Sequence, residues 1–103
     1  MSETRQVKQA IVIHPTDNVA TALIDLVTGN QLSFPWGHSK RMVIVKQPIP
    51  RGHKIAIRPI AVGMPIVKYG EQIGVAASPT EEGAHVHTHN VTSTRVSRKQ
   101  EIL

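Results

Sequence analysis

Short runs of β-branched and aliphatic residues, separated by Pro, Gly and Asn, form the hydrophobic pattern of this chain. The runs at 10–14 and 42–45 have the length and composition of strands, and turn-forming residues follow or flank them. His14 closes the first run directly before Pro15, and a residue before proline is biased toward extended backbone. The pattern therefore predicts short strands, with His14 at the end of the first one.

The stretch from Val19 to Leu26 fits two kinds of element. One set of its apolar positions has helical spacing, whereas alternate positions in the same stretch fit a strand. We favour the strand. Thr28-Gly29-Asn30 then marks a turn, and residues 31–41 are expected to be irregular because Pro35, Gly37 and Ser39 interrupt any period.

A weak internal repeat follows, in which glycine stands three residues after an apolar residue or Thr and three before another apolar residue. The copies are IPRGHKI (49–55), IAVGMPI (60–66) and TEEGAHV (80–86). Glycine supplies the positive φ of a tight turn, so each copy predicts a turn that opens a strand. Tyr69-Gly70 predicts a further turn. Copies this short cannot be solenoid units, so the sequence predicts one compact all-β domain.

Composition narrows the class of protein. The chain has 103 residues, three aromatic residues and no cysteine, so the core must be aliphatic, and disulfides and thiolate sites are excluded. We expect a domain at 10–92 between a flexible tail at 1–9 and a polar tail at 93–103. Neither a signal sequence nor a membrane-spanning run is evident, and the expected location is the cytoplasm, without membrane contact.

The chain carries a formal charge of +5, from twelve Lys and Arg against seven acids. Such a balance suits an anionic partner, whether nucleic acid, an acidic protein surface or a carboxylate. Arg95, Arg98 and Lys99 lie in the C-terminal tail, Lys40 and Arg41 lie in one loop, and no basic helix or set of stacking aromatics accompanies them. This distribution argues against nucleic acid as the partner.

Three of the six histidines stand at alternate positions in GAHVHTHN, residues 83–90. On a strand His85, His87 and His89 would share one face. The outer two would then be about 13 Å apart, so only neighbours could reach one metal ion. We favour His87 and His89 as the metal pair. A hydrogen-bonded polar strand edge and adventitious metal affinity are the alternatives.

The segments HPTDNVATAL, IPRGHKIAI, IVKYGEQIG and GAHVHTHN together resemble a known family across residues 10–92. It comprises the small component of altronate and galactarate dehydratases and of sulfolactate sulfo-lyase. The resemblance implies a SAF domain with a β-clip fold of short, bent strands. Arg58-Pro59, Pro79-Thr80, Ala84 and the loop 33–41 depart from the family pattern, which leaves the substrate open.

The resemblance also implies a function. The chain would be a subunit of a carbon–oxygen lyase, inactive alone, that removes water from a sugar acid together with a larger catalytic subunit. A base, an acid and a cation are needed for such an elimination. None of the seven acids lies in a matched triplet, so a divalent metal, with iron as one candidate, would be shared with the larger subunit. Sulfite elimination, or a non-catalytic SAF module that binds an anionic sugar or a protein, are alternatives.

Residue roles follow from the matched motifs Gly-His-Lys (52–54), Lys-Tyr-Gly (68–70) and His-x-His-Asn (87–90), the last within GAHVHTHN. The expected catalytic residues are His53, Lys54, Lys68 and Tyr69, the expected substrate-binding residues are His85 and Asn90, and the expected metal ligands are His87 and His89. Each has a structural alternative: His53 capping a turn, Lys68 and Tyr69 on an ordinary edge strand, Asn90 capping a strand end. Self-association through exposed strand edges is compatible with the sequence.

Overall fold

A computed structural model describes residues 9–36 and 39–92, and within these ranges the chain forms nine strands and no helix. The strands are β1 (Ala10–Ile11), β2 (Val19–Ala22), β3 (Gln31–Trp36), β4 (Ser39–Ile44), β5 (Lys54–Ala56), β6 (Pro65–Lys68), β7 (Glu71–Ala76), β8 (His85–Val86) and β9 (Val91–Thr92). The all-β prediction is confirmed. The tails expected at 1–9 and 93–103 fall almost entirely outside the described residues, as does His38.

All strand pairs are antiparallel. A four-stranded sheet has the order β1-β2-β5-β8, a three-stranded sheet has the order β6-β7-β9, and β3 and β4 form a separate hairpin. The strands are two to six residues long, and the chain passes to another sheet after β2, β4, β5, β7 and β8, which is consistent with the all-β domain that the resemblance implies. Two isolated bridges, Leu26↔Ile49 and Ile60↔Thr80, join loops outside the strands.

The repeated glycines open strands as the sequence predicted. Gly52, Gly63 and Gly83 have φ values of 87°, 85° and 90°, a region that side-chain-bearing residues rarely adopt. Gly83 has a second constraint, because a Cβ there would overlap the carbonyl oxygen of Ile44. The end of β4 and the nearby Lys46 therefore contact the turn before β8 through the backbone. The Lys46 N–H donates to the Gly83 carbonyl at 2.9 Å.

The expectation of irregular structure at 31–41 was wrong. β3 and β4 pair continuously from Gln31↔Ile44 to Trp36↔Ser39. Alternation explains this: Leu32, Phe34 and Val43 are buried on one face, and this period stabilises a hairpin despite Pro35. A two-stranded hairpin tolerates the missing N–H of proline because each strand has an unpaired edge.

The choice of strand over helix within residues 19–26 is confirmed for 19–22. The chain is extended there because β2 lies between β1 and β5 and both of its faces are covered. Ala20 and Ala22 belong to one hydrophobic cluster, and Val19 belongs to the other. β5 behaves in the same way, with Ile55 in the first cluster and Ala56 in the second. The central strands β2 and β5 are therefore packed against both hydrophobic clusters, and the residues at their ends are held by this packing.

Within residues 9–36 and 39–92 no helix has the length and apolar character required to cross a membrane.

Candidate functional site

The pairing of β5 with β8 brings together histidines that are distant in sequence. His53 ends the turn before β5, and His85 opens β8, where its backbone faces Ile55. The side chains meet, with His53 Nδ1 and His85 Nε2 2.8 Å apart. One of these nitrogens donates a proton and the other accepts it, so the two rings form a direct path for proton transfer.

His87 completes a three-histidine cluster with His53 and His85. Its ring stacks on that of His53, with centroids 3.7 Å apart and 9° between the planes, and lies 5.6 Å from that of His85. The Nδ1 atom of His87 is buried and has no hydrogen-bond partner. A buried nitrogen without a partner is costly, which makes this atom a candidate for binding something that the chain itself does not supply.

The expectation that the three alternate histidines project from one strand face was wrong. β8 ends at Val86, and residues 87–90 form a turn in which the Asn90 N–H donates to the His87 carbonyl at 3.0 Å. The turn removes the strand period on which the expectation rested. It leaves the ring of His89 5.0 Å from that of His85, tilted by 38°.

Asn90 holds this turn. Its side-chain oxygen accepts from the His87 N–H at 2.8 Å, and its side-chain nitrogen donates to the His85 carbonyl at 2.9 Å. Asn90 is nearly buried, at 9 % exposure. The structure therefore shows it in the capping arrangement, which was one of the two alternatives considered for this residue.

The surroundings of the three-histidine cluster disfavour the protonated, positively charged form of imidazole. Burial, followed by His89 and the other neighbouring cationic groups, lowers the pKa of His85 to about 4. Burial, and then His53 and Lys54, lower the pKa of His87. His85 and His87 are therefore neutral near pH 7, the form in which imidazole ligates metals and passes protons. A pKa near 4 also makes His85 a weak general base.

A second polar group adjoins the cluster through Lys54. Lys54 lies directly opposite Thr21 in the β2–β5 ladder, and the Tyr69 hydroxyl donates to Thr21 Oγ1 at 3.2 Å. The Lys68 ammonium lies 4.9 Å from the centre of the Tyr69 ring. Burial and the charge of Lys68 lower the pKa of Lys54. Three predicted catalytic residues, Lys54, Lys68 and Tyr69, are thus connected to one another and to the histidines.

Two residues at the site were missed in the sequence. Thr21 contacts Tyr69, and Gln47 Oε1 accepts the backbone N–H of His85 at 2.9 Å. Thr21 could have been found only by knowing that β2 pairs with β5 in this register. Gln47 belongs to a loop without a recognisable motif, so no local signal marks it.

A buried carboxylate fixes the turn that carries Tyr69. Asp17 is fully buried; its Oδ1 accepts from the Gly70 N–H at 2.8 Å, and its Oδ2 accepts from the His14 N–H at 3.0 Å. His14 lies in the loop after β1, rather than in the strand itself, and its ring packs against Gly70. The motif HPTDN thus positions the Lys68–Gly70 turn.

The donor atoms of His53, His85 and His87 all lie within 4.8 Å of one another, a separation compatible with one metal ion after adjustment. This set differs from the predicted pair, His87 and His89, because His53 arrives from another turn. The rings of His53 and His87 are parallel, so their in-plane lone pairs are also parallel. One ring must turn before both can ligate the same ion.

The amino-acid sequence matches the family described as the altronate/galactarate dehydratase SAF domain over residues 8–94. It is 44% identical over 89 residues to an altronate dehydratase of Escherichia coli K12, covering 86% of this chain and 17% of that protein. It is 34% identical over 88 residues to the (2R)-sulfolactate sulfo-lyase subunit alpha of Chromohalobacter salexigens, covering 82% of this chain and 94% of that subunit.

A galactarate dehydratase (L-threo-forming) of Escherichia coli K12 is 34% identical over 76 residues, 74% of this chain and 14% of that protein. The chain thus spans less than a fifth of the dehydratases and nearly the whole of a sulfo-lyase subunit. The match covers every element that builds the site, from the Asp17 loop to the Asn90 turn. The chain belongs to the altronate/galactarate dehydratase SAF domain family.

Proposed function

We propose that this chain is the small subunit of a hydro-lyase that removes water from a sugar acid of the altronate or galactarate type. The observation that carries the proposal is the convergence of His53, from one turn, on His85 and His87 from another. The comparison supports a catalytic site that this chain shares with a larger protein, since the chain matches only 17% of an altronate dehydratase. A larger catalytic subunit would supply the remainder, and the chain alone would be inactive. The proposal retains a cytoplasmic location.

The chemistry requires proton transfer at two points. A base removes the proton on the carbon next to the carboxylate, the neighbouring C–O bond breaks, and an acid protonates the leaving hydroxide to give water. The resulting enol becomes a 2-keto-3-deoxy acid. His53 and His85 share a proton across 2.8 Å, and Lys54 follows His53 directly. In the proposed reaction the His53 imidazole accepts a proton at one ring nitrogen while its other ring nitrogen stays hydrogen-bonded to His85.

A divalent metal, with iron as one candidate, is part of the proposal. The buried, unpartnered Nδ1 of His87 and the neutral state of His85 fit such an ion. His53, His85 and His87 would hold it, His89 lying nearby, and the larger subunit would provide further ligands. When bound, the ion would stabilise the negative charge that develops on the substrate's carboxylate side.

Reconstitution tests the proposal. The chain is mixed with its larger partner, recovered by pull-down, and the mixture is assayed for 2-keto-3-deoxy acid formation from altronate and galactarate. His87→Ala should lower the turnover of the complex at least tenfold. Lys40→Ala, at an exposed position of β4, is the matched control and should retain activity. Full activity of the large subunit without this chain would refute the catalytic role.

Sulfite elimination is a second candidate, favoured by one observation. The chain aligns with 94% of a sulfolactate sulfo-lyase alpha subunit, so a protein of this size exists as a separate subunit in that enzyme. The same acid–base groups would serve, with sulfite rather than hydroxide leaving. Sulfite release from (2R)-sulfolactate by the reconstituted complex, with no dehydration of sugar acids, would select this candidate.

A further inference from the structure

Tyr69 is held in an unfavourable backbone conformation. Its φ is 55°, and among the residues that the structure describes it is the only non-glycine residue with a positive φ. With Gly70, at φ 80°, it forms the two-residue turn between β6 and β7. Turns of this kind favour Asn or Gly at the first position, since both residues need positive φ. A tyrosine in this strained conformation points to a use for its side chain.

The phenol of Tyr69 has a defined partner. It donates to Thr21 Oγ1 at 3.2 Å, which leaves the hydroxyl hydrogen of Thr21 available for another acceptor. Thr21 stands opposite Lys54 on the neighbouring strand. Directly opposed residues point to the same face of an antiparallel pair, so the Thr21 hydroxyl and the Lys54 ammonium share one face.

Two half-buried ammonium groups flank these hydroxyls without a counter-ion. Neither Lys54 nor Lys68 forms an ion pair with any carboxylate of the described residues. The nearby carboxylate of Asp17 is engaged elsewhere, because it accepts backbone N–H groups. A bound anion would supply the counter-charge that both ammonium groups lack among the described residues.

We propose that Thr21, Lys54, Lys68 and Tyr69 form a carboxylate-binding subsite that holds the acid group of the substrate beside the three-histidine cluster. The lysines provide the charge, and the Thr21–Tyr69 hydroxyl pair provides oriented hydrogen bonding. Lys54 joins the subsite to the cluster, because it directly follows His53, whose ring contacts those of His85 and His87. The inference rests on the proposed function in one respect only, because that function identifies the bound carboxylate as that of a hydroxy acid.

Titration of the full chain with glycolate, the smallest 2-hydroxy acid anion, tests the subsite by amide NMR. Glycolate should shift the signals of Thr21, Lys54 and residues 68–70, whereas neutral glycolamide and sodium chloride at equal ionic strength should not. Lys68→Gln should weaken glycolate binding at least fivefold, and the exposed-lysine control Lys40→Gln should leave it unchanged. Equal shifts with inorganic phosphate or chloride would overturn the specificity for carboxylate.

The reconstituted complex separates this inference from the proposed function. Lys68→Gln and Tyr69→Phe should raise KM for the sugar acid at least fivefold, with a smaller effect on kcat. Glycolate binding by a chain whose complex has no lyase activity would refute the proposed function and support the subsite. An active complex in which these variants leave KM unchanged, with no glycolate shifts, would overturn the subsite alone.

Discussion

Asp17→Ala should destabilise the protein more than any surface substitution, because it leaves buried backbone donors without an acceptor. The carboxylate is fully buried and accepts from the N–H groups of Gly70 at 2.8 Å, His14 at 3.0 Å and, more weakly, Ile13 at 3.3 Å. Hydrogen bonds to a charged acceptor contribute about 1.5–3 kcal/mol each. Two short bonds, less the desolvation recovered on removing the charge, give an expected loss of about 3–4 kcal/mol in the free energy of unfolding.

Urea denaturation and thermal melting measure this loss. For a domain of this size, 3–4 kcal/mol corresponds to a fall in Tm of more than about 10 °C. Asp17→Asn keeps one acceptor oxygen and should lose roughly half as much. Amide hydrogen exchange should show the protection of Gly70 falling before that of the β2–β5 ladder, since Asp17 joins the turn to the loop after β1.

A loss below about 1 kcal/mol for Asp17→Ala would refute this reasoning, because it would mean that the donors find other acceptors at little cost. Unchanged protection of Gly70 would also refute it. A matched control is Asp25→Ala, whose carboxylate accepts one backbone N–H, from Arg51, on the exposed surface. That variant should lose less than about 1 kcal/mol.

Three further outcomes are expected. Gly83→Ala should lower the free energy of unfolding by about 3 kcal/mol or more, because positive φ and overlap with the Ile44 carbonyl act together. Gly52→Ala has open space around it and should lower the free energy of unfolding by about 1–2 kcal/mol, from φ alone. Tyr69→Asn should stabilise the chain by roughly 0.5–1 kcal/mol in urea denaturation while glycolate binding is lost. As pH falls from about 6.5 to about 4, His85 takes up a proton in the unfolded chain before it does so in the folded chain. The stability of the folded chain therefore decreases across that window. His85→Gln should flatten the accompanying decrease in Tm.

Each of these has an outcome that would contradict it. Equal losses for the Gly83 and Gly52 variants would mean that the contact with Ile44 relaxes freely. A destabilised Tyr69→Asn variant would show that the phenol contact outweighs backbone strain. An unaltered pH dependence of Tm in His85→Gln would assign the acid sensitivity to other groups.

The sequence predicted the strands and turns well where local rules determine them. Gly52, Gly63 and Gly83 were correctly placed at strand-opening turns because positive φ is a property of single residues. The sequence does not predict the hairpin at 31–44, because Pro35, Gly37 and Ser39 interrupt its local period. Only the burial of alternate side chains on both strands, a property of the folded pair, explains why the hairpin forms.

The candidate site was predictable as a set of residues but not as an arrangement. His53, Lys54 and the histidines of 85–89 were identified from motifs. Their grouping depends on the register Ile55↔His85 and on the turn held by Asn90, which convert an apparent strand face into a compact cluster. Strand pairing between distant segments has no local sequence signal, so the hydrogen bond between His53 and His85 could not be foreseen.

The long separation between His53 and His85 has a thermodynamic consequence. The two partners of this hydrogen bond are 32 positions apart in the sequence, so the cluster exists only after β5 and β8 have paired. A ligand that needs all three imidazoles has little affinity for the unfolded chain. Its full binding free energy therefore adds to stability, by about 2.7 kcal/mol when its free concentration is a hundred times its Kd. The melting temperature of the chain thus serves as a direct gauge of what the cluster binds.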